Sequence, residues 1–165
     1  MNNLKNFIFF LIIVFTIIIG GCKKVDNNLI NDGLKTININ GVTREFILYI
    51  PNTYDSTDAV PLMLNFHGWT MSASDQMDLS DMRALAESEK FILVYPQGTK
   101  FKNRFYGSTH WNVGSWTTGS TSDDIGFVDK LIDYTSVNYN IDLERIYACG
   151  YSNGGFFSHE LACNL

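Results

Sequence analysis

Gly150-Tyr151-Ser152-Asn153-Gly154 has the form G-x-S-x-G, a pattern suited to nucleophilic chemistry. The flanking glycines let a chain turn sharply from a strand into a helix, and they leave the serine oxygen standing clear. At the start of a helix that oxygen also lies near free N–H groups, which favour negative charge as it develops. By composition alone such a pattern arises in roughly one chain in twenty, so its placement must carry the inference. Here an apolar run, Arg145 to Cys149, precedes the motif. A helical stretch from about Gly154 to Asn164 follows it, and Gly155 gives further room. Ser152 is the expected nucleophile.

A serine of this kind needs two N–H donors for the oxyanion, one from the residue after it and one from a loop after an earlier strand. His67-Gly68-Trp69 ends the apolar run Leu62-Met63-Leu64-Asn65-Phe66, so the backbone amides of Trp69 and Asn153 are expected to form the hole. His67 is expected to brace that loop and not to act as a base. In the chain order of such triads the acid and then the histidine follow the serine. Thirteen residues follow Ser152 in the sequence. His159 lies seven residues past it, about 10 Å along a helix, and His67 and His110 precede it. Glu160, Asp123 and Asp124 read as helix-face and capping residues. The expectation is a chain that holds the nucleophile without its acid and base, a fragment with little activity.

The elements that must position these residues follow from periodicity. Thr36 to Asn40 and Val42 to Ile50 are β-rich and meet at Asn40-Gly41, a hairpin signal. Leu62 to Phe66, Phe91 to Tyr95 and Arg145 to Cys149 read as buried strands. Ser74 to Lys90 reads as one helix with Leu79, Met82, Leu85 and Ala86 on its apolar face. Thr121-Ser122-Asp123-Asp124 looks like a capping box opening a helix to about Asn138, striped by Phe127, Val128, Leu131 and Ile132. Lys100 to Ser120 is a long loop rich in Gly, Ser, Thr and aromatics, and loops that long are usually functional or disordered. On it, Trp111 and Trp116 are expected to rim the Ser152 face and touch substrate, with packing of Trp111 into the core as the alternative. A hairpin followed by alternating strands and helices predicts the α/β class, with a parallel sheet covered on both faces.

The first 21 residues are of another kind. Lys5 precedes Phe7 to Ile19, in which only Thr16 is polar, and Ile19-Gly20-Gly21-Cys22 closes the run. That length is short for a bilayer span and matches the apolar region of an export signal. Ile19 to Cys22 resembles a bacterial lipobox, which implies lipidation of Cys22 and a membrane tie through the lipid. An ordinary cleaved signal and an uncleaved anchor are the alternatives. Residues 22–33 are polar and read as a tether, leaving 34–165 as the domain. Export permits a disulfide, but Cys149 on a strand and Cys163 on the helix beside it sit near the limit of about 7 Å between Cα atoms. Two buried thiols are therefore expected, with a partner for Cys163 outside this sequence as the alternative. With 17 acidic against 12 basic side chains and a net charge of −5, a nucleic-acid partner is not expected, because phosphate binding needs clustered Lys and Arg.

Six motifs then occur in order. They are Leu48-Tyr49-Ile50-Pro51, Leu64-Asn65-Phe66-His67-Gly68, Val94-Tyr95-Pro96-Gln97-Gly98, Trp111-Asn112, Asp123-Asp124-Ile125-Gly126-Phe127 and Gly150-Tyr151-Ser152-Asn153-Gly154-Gly155. From about Thr36 to Leu165 the chain resembles the polyhydroxybutyrate depolymerase and feruloyl/acetylxylan esterase family of α/β-hydrolases. The resemblance implies the amino-terminal half of that fold, ending after the helix that Ser152 opens. It also implies no metal and no cofactor, and an ester substrate of hydroxyalkanoate or plant-polysaccharide type. One departure is Trp69, where many relatives carry a disulfide-bonded Cys. The rival readings are a serine peptidase of the same fold and a surface-anchored protein that grips polysaccharide without turnover.

Overall fold

In the computed structural model, which describes residues 33–101 and 107–165, the chain opens with the hairpin that Asn40-Gly41 predicts. Asn40 and Gly41 take φ of 51° and 85°, the left-handed pair that matches the twist of flanking strands. Strands β1 (Gly33–Ile39) and β2 (Val42–Tyr49) pair antiparallel around the turn, with Ile39 opposite Val42. The export segment, Cys22, the tether to residue 32 and residues 102–106 lie outside the described residues.

The sheet continues with β3 (Val60–Phe66), β4 (Ile92–Pro96) and β7 (Ile141–Gly150), in the spatial order β1-β2-β4-β3-β7. β3 runs parallel to both β4 and β7, while β2 meets β4 antiparallel. Between β4 and β7, the short strands β5 (Thr99–Lys100) and β6 (Thr109–His110) form a separate ribbon. Apolar side chains fill both faces. Phe46, Leu62, Leu64, Phe66 and Val94 pack on one side against helix α3 (Asp124–Asn138) and helix α4 (Asn153–Asn164). On the other side Tyr49, Leu93 and Tyr95 pack with Ala73 and Ala86.

The expected helix 74–90 is two helices, α1 (Ala73–Leu79) and α2 (Arg83–Glu89). The break has a cause in the sheet below. The Tyr95 hydroxyl donates to the Ser80 carbonyl at 2.9 Å and accepts the Met82 amide at 3.0 Å, and Asn65 Nδ2 donates to the same carbonyl at 3.4 Å. Two sheet side chains thus take backbone groups that a continuous helix would use. Leu79 and Leu85 consequently face solvent, and Ala86 is the buried contact. The capping box lies at Ser72 and Asp75, ahead of α1. α3 is capped instead by Asp123, whose Oδ1 accepts the Gly126 amide at 2.9 Å, so Thr121 falls outside the helix.

The run expected as a buried strand at 145–149 belongs to a strand of 10 residues at the sheet's edge. Among the described residues β7 has a neighbour, β3, on one side, so Leu143 and Tyr147 are exposed. Cys149 on this strand is half-buried and Cys163 on α4 is exposed, both as free thiols, which corrects the expectation of two buried ones.

Candidate active site

Ser152 sits between β7 and α4 with φ 49° and ψ −113°. A non-glycine residue in that region stores local strain and persists where the surroundings over-determine it. The surroundings are close-packed backbone. A Cβ on Gly154 would lie 2.2 Å from the Phe66 carbonyl oxygen, and one on Gly150 would lie 2.6 Å from the Gly154 carbonyl carbon. The Tyr151 amide donates to the Phe66 carbonyl at 3.0 Å, tying the turn to the end of β3. A serine at a helix N-cap ordinarily turns its hydroxyl back onto the first turn. Ser152 does not: its side chain makes no capping bond and the residue is exposed. Its hydroxyl is presented outward at the positive end of a helix dipole.

The His67-Gly68-Trp69 loop abuts this turn. A Cβ on Gly68 would stand 2.9 Å from the Tyr151 ring. His67 is fully buried, with both ring nitrogens committed. Nδ1 lies 2.7 Å from the Gly68 carbonyl, and Nε2 receives the Gly98 amide at 2.8 Å. The carbonyl can only accept, so Nδ1 carries the proton and Nε2 is the acceptor. Burial lowers the pKa of this histidine and holds it neutral. Its expected bracing role fits this geometry. Trp69 packs its indole on Phe101 and His110, ring centroids 5.8 and 5.5 Å away. The Asn153 amide lies in the first turn of α4, where no intrahelical carbonyl can accept it.

Trp111 is not on the rim. It is 0% exposed, stacked on Phe157 at 5.0 Å between centroids, edge-on to Phe66 at 5.1 Å, and donates its indole N–H to the His67 carbonyl at 2.9 Å. The indole finds there both an apolar slot beneath the elbow and the hydrogen-bond partner that a buried Trp requires. Trp116 is 77% exposed and stacks on Phe156 of α4 at 5.3 Å with the planes 18° apart. Phe156 donates its amide to the Ser152 carbonyl at 3.1 Å, so the stacked pair stands on the turn that follows the serine.

Among the described residues no histidine is placed to take the Ser152 proton. His110 is buried, with Nδ1 on the Thr99 carbonyl at 3.0 Å and Nε2 on the Ser120 hydroxyl at 2.7 Å, and burial lowers its pKa too. His159 is exposed, two turns along α4. Among the described residues no group of three or more His, Cys, Asp or Glu side chains is placed to hold a metal ion.

Comparison with known proteins bears on this geometry. The chain is 31% identical over 120 residues to a bifunctional acetylxylan esterase/xylanase of Neocallimastix patriciarum, covering 73% of this chain and 16% of that protein. It is 31% identical over 122 residues to feruloyl esterase B of Piromyces equi, covering 74% of this chain and 22% of the relative. Among solved structures, acetyl xylan esterase from Aspergillus awamori superposes with a TM-score of 0.55 at 20% identity, over 74% of this chain and 43% of that one. An S-formylglutathione hydrolase from Agrobacterium tumefaciens gives 0.63 at 14% identity, over 79% and 52%. The chain carries the α/β-hydrolase fold. It is a relative of the feruloyl and acetylxylan esterases, and spans less than half the length of those two curated relatives. No model of a known protein family matches the sequence.

Three parts of this esterase-like site escape a reading of the sequence. Asn153 uses its side chain as a backbone mimic, accepting the Trp111 amide at 2.8 Å and donating to the Trp111 carbonyl at 3.1 Å. Gly98 sits where a Cβ would meet the His110 carbonyl at 2.4 Å, which explains its place in Pro96-Gln97-Gly98. Asp124, read as a capping residue, is buried and pairs with Arg44 of β2 at 2.7 Å while accepting the Asn112 amide at 2.8 Å. The Arg44 guanidinium lies 3.9 Å over the Phe127 ring. The Trp111-Asn112 dipeptide is thus pinned from both sides, by Asn153 and by Asp124. Residue type signalled a polar role for Asn153 and Asp124, but nothing in the sequence named their partners.

Proposed function

We propose that Ser152 is the nucleophile of a carboxylic-ester hydrolase acting on acyl or feruloyl esters of plant polysaccharides. The observation that carries it is the exposed, uncapped Ser152 in a left-handed turn between glycines that backbone atoms leave no room to replace. The serine oxygen attacks the ester carbonyl, the backbone amides of Trp69 and Asn153 receive the oxyanion, and water later releases the acid. The histidine base and its acid partner come from outside residues 33–165. Plant-polysaccharide esters are favoured over hydroxyalkanoate polymers because the relatives named above are feruloyl and acetylxylan esterases. Trp116 on Phe156 offers a flat apolar face beside the serine for a ring of the substrate.

The test supplies a base and an acid from a relative. Losing the histidine of a serine triad costs on the order of 10⁶ in kcat, so residues 22–165 alone are expected to hydrolyse p-nitrophenyl acetate and methyl ferulate no faster than their Ser152→Ala variant. Fusing the carboxy-terminal region of a feruloyl esterase after Leu165 should restore turnover that Ser152→Ala abolishes. A folded fusion with no Ser152-dependent hydrolysis overturns the assignment.

Export with lipidation of Cys22 belongs to the same proposal, supported by Ile19-Gly20-Gly21-Cys22 after the apolar run. Metabolic labelling with a palmitate analogue should mark the wild type and not Cys22→Ala. Equal labelling refutes it.

A further inference from the structure

A cleft of ≈ 370 Å³ opens between the hairpin and the loop ahead of α3, within the range of about 300–1,000 Å³ typical of small-molecule sites. β2 pairs antiparallel with β4, Phe46 opposite Pro96, so the start of β2 lies beside the end of β4. Val42 and Arg44 of β2 and Thr99 to Phe101 after β4 form one wall, and residues 119–123 form the other. The cleft is therefore at the same end of the strands as the Ser152 turn. With strands about 4.8 Å apart, the order β2-β4-β3-β7 puts the two sites on the order of 14 Å apart across the sheet.

The chemistry of the lining selects a class of ligand. Ile39, Val42 and Phe101 give apolar surface, and Lys100, Ser120 and Thr121 give hydrogen-bonding groups. Arg44 is neutralised by Asp124 at 2.7 Å, and the remaining lining carries one charge of each sign, Lys100 and Asp123. An anion site would show cationic groups without such compensation. A mixed lining without net charge suits a neutral molecule that carries hydroxyls on an apolar frame, which is the description of a sugar ring. The cleft also shares a wall with the catalytic side. Phe101 and His110, 4.7 Å apart between ring centroids, both line the cleft and both pack against Trp69 of the loop beside Ser152.

We propose that this cleft binds a neutral sugar unit of a polysaccharide main chain, holding the polymer while a neighbouring ester is presented to Ser152. Its catalytic purpose rests on the esterase reading; its capacity to bind does not. The probe is xylotetraose, titrated into the chain and followed by amide NMR shifts and by calorimetry. Saturable binding is expected, with shifts at Val42, Ser120 and Thr121. Val42→Trp and Thr121→Trp, both at exposed positions that line the cleft, should each weaken it by about tenfold or more. Ser152→Ala should bind as the wild type does. Shifts confined to Trp116 and Phe156, no saturable binding, or tighter binding of an oligogalacturonate would each overturn the proposal. Hydrolysis without xylotetraose binding sinks the cleft alone, and binding without Ser152-dependent hydrolysis in the fusion sinks the nucleophile alone.

Discussion

Two tryptophans of one loop, Trp111 and Trp116, have opposite fates. The first half of the loop is built into the molecule: Trp111 is 0% exposed and bonded to His67 and Asn153. The second half lies on it: Trp116 is 77% exposed, on a turn of 3-10 helix spanning Gly114–Thr117. The difference is one of available partners. Behind Trp111 stand Phe66, Phe127 and Phe157 and an acceptor for the indole N–H. Behind Trp116 stands one ring, Phe156, itself exposed. The same residue type thus serves as a keystone under the elbow and as a platform beside it.

The sharpest way to break this contrast is Trp111→Ala. Truncating a buried aromatic residue costs about 3–5 kcal/mol, a large share of a total stability of about 5–15 kcal/mol. It also leaves the His67 carbonyl without its indole donor. The expected result is a large drop in the urea midpoint or loss of a cooperative transition, measured by circular dichroism. A variant that melts within about 1 kcal/mol of the wild type would put Trp111 back on the surface.

Acidity sharpens the contrast with a smaller effect. His67, whose carbonyl accepts the buried Trp111 indole, and His110 of the inner half are both buried, and burial lowers the pKa of each from its ordinary value of about 6.5. Each donates Nδ1–H to a carbonyl and accepts at Nε2, and at His67, where the Nε2 partner is the Gly98 amide, a second proton destroys the arrangement. The unfolded chain, with ordinary histidines, takes up protons first as pH falls. Stability from these two groups is therefore full above about pH 6.5 and declines as pH falls through that value toward the lowered folded pKa values. Carboxylates whose pKa values are lowered, such as Asp81 beside Arg83, act below about pH 4 and leave this window clear. Urea midpoints at about pH 7.5 and about pH 5.5 measure it, and no decline between them would mean that the histidines are not held neutral.

What was legible in the sequence follows the range of the interaction. The Asn40-Gly41 turn, the Ser152 motif and the stripe of α3 depend on neighbours within a few residues, and each could be read. The split of α1 from α2 could not, because Tyr95 and Asn65 impose it from the sheet. Arg44 and Asp124 lie 80 positions apart, and local composition carries no trace of their pairing. Trp111 was ambiguous for a different reason. Indole suits a wet rim and a dry slot with one acceptor equally well, and the acceptor here is a backbone carbonyl that only the folded chain brings near.

Trp116→Ala is expected to have the smallest effect on stability and a selective one on binding. An exposed aromatic pair contributes about 0.5–1.5 kcal/mol, and surface substitutions usually stay within about 0.5 kcal/mol, so the melting transition should move by less than about 1 kcal/mol. If the face of Trp116 meets the ring of a feruloyl group, its contact is made in the ground state and in the transition state alike. Losing such uniform binding raises KM and leaves kcat alone. In the fusion with a feruloyl esterase's carboxy-terminal region, KM for methyl ferulate should rise roughly two- to tenfold, the factor that 0.5–1.5 kcal/mol of stacking supplies. KM for p-nitrophenyl acetate, whose acyl group has no ring, should change less. Destabilisation on the scale of Trp111→Ala would show that the outer half of the loop is structural after all. An unchanged KM for methyl ferulate would show that the stacked pair serves something other than the acyl ring.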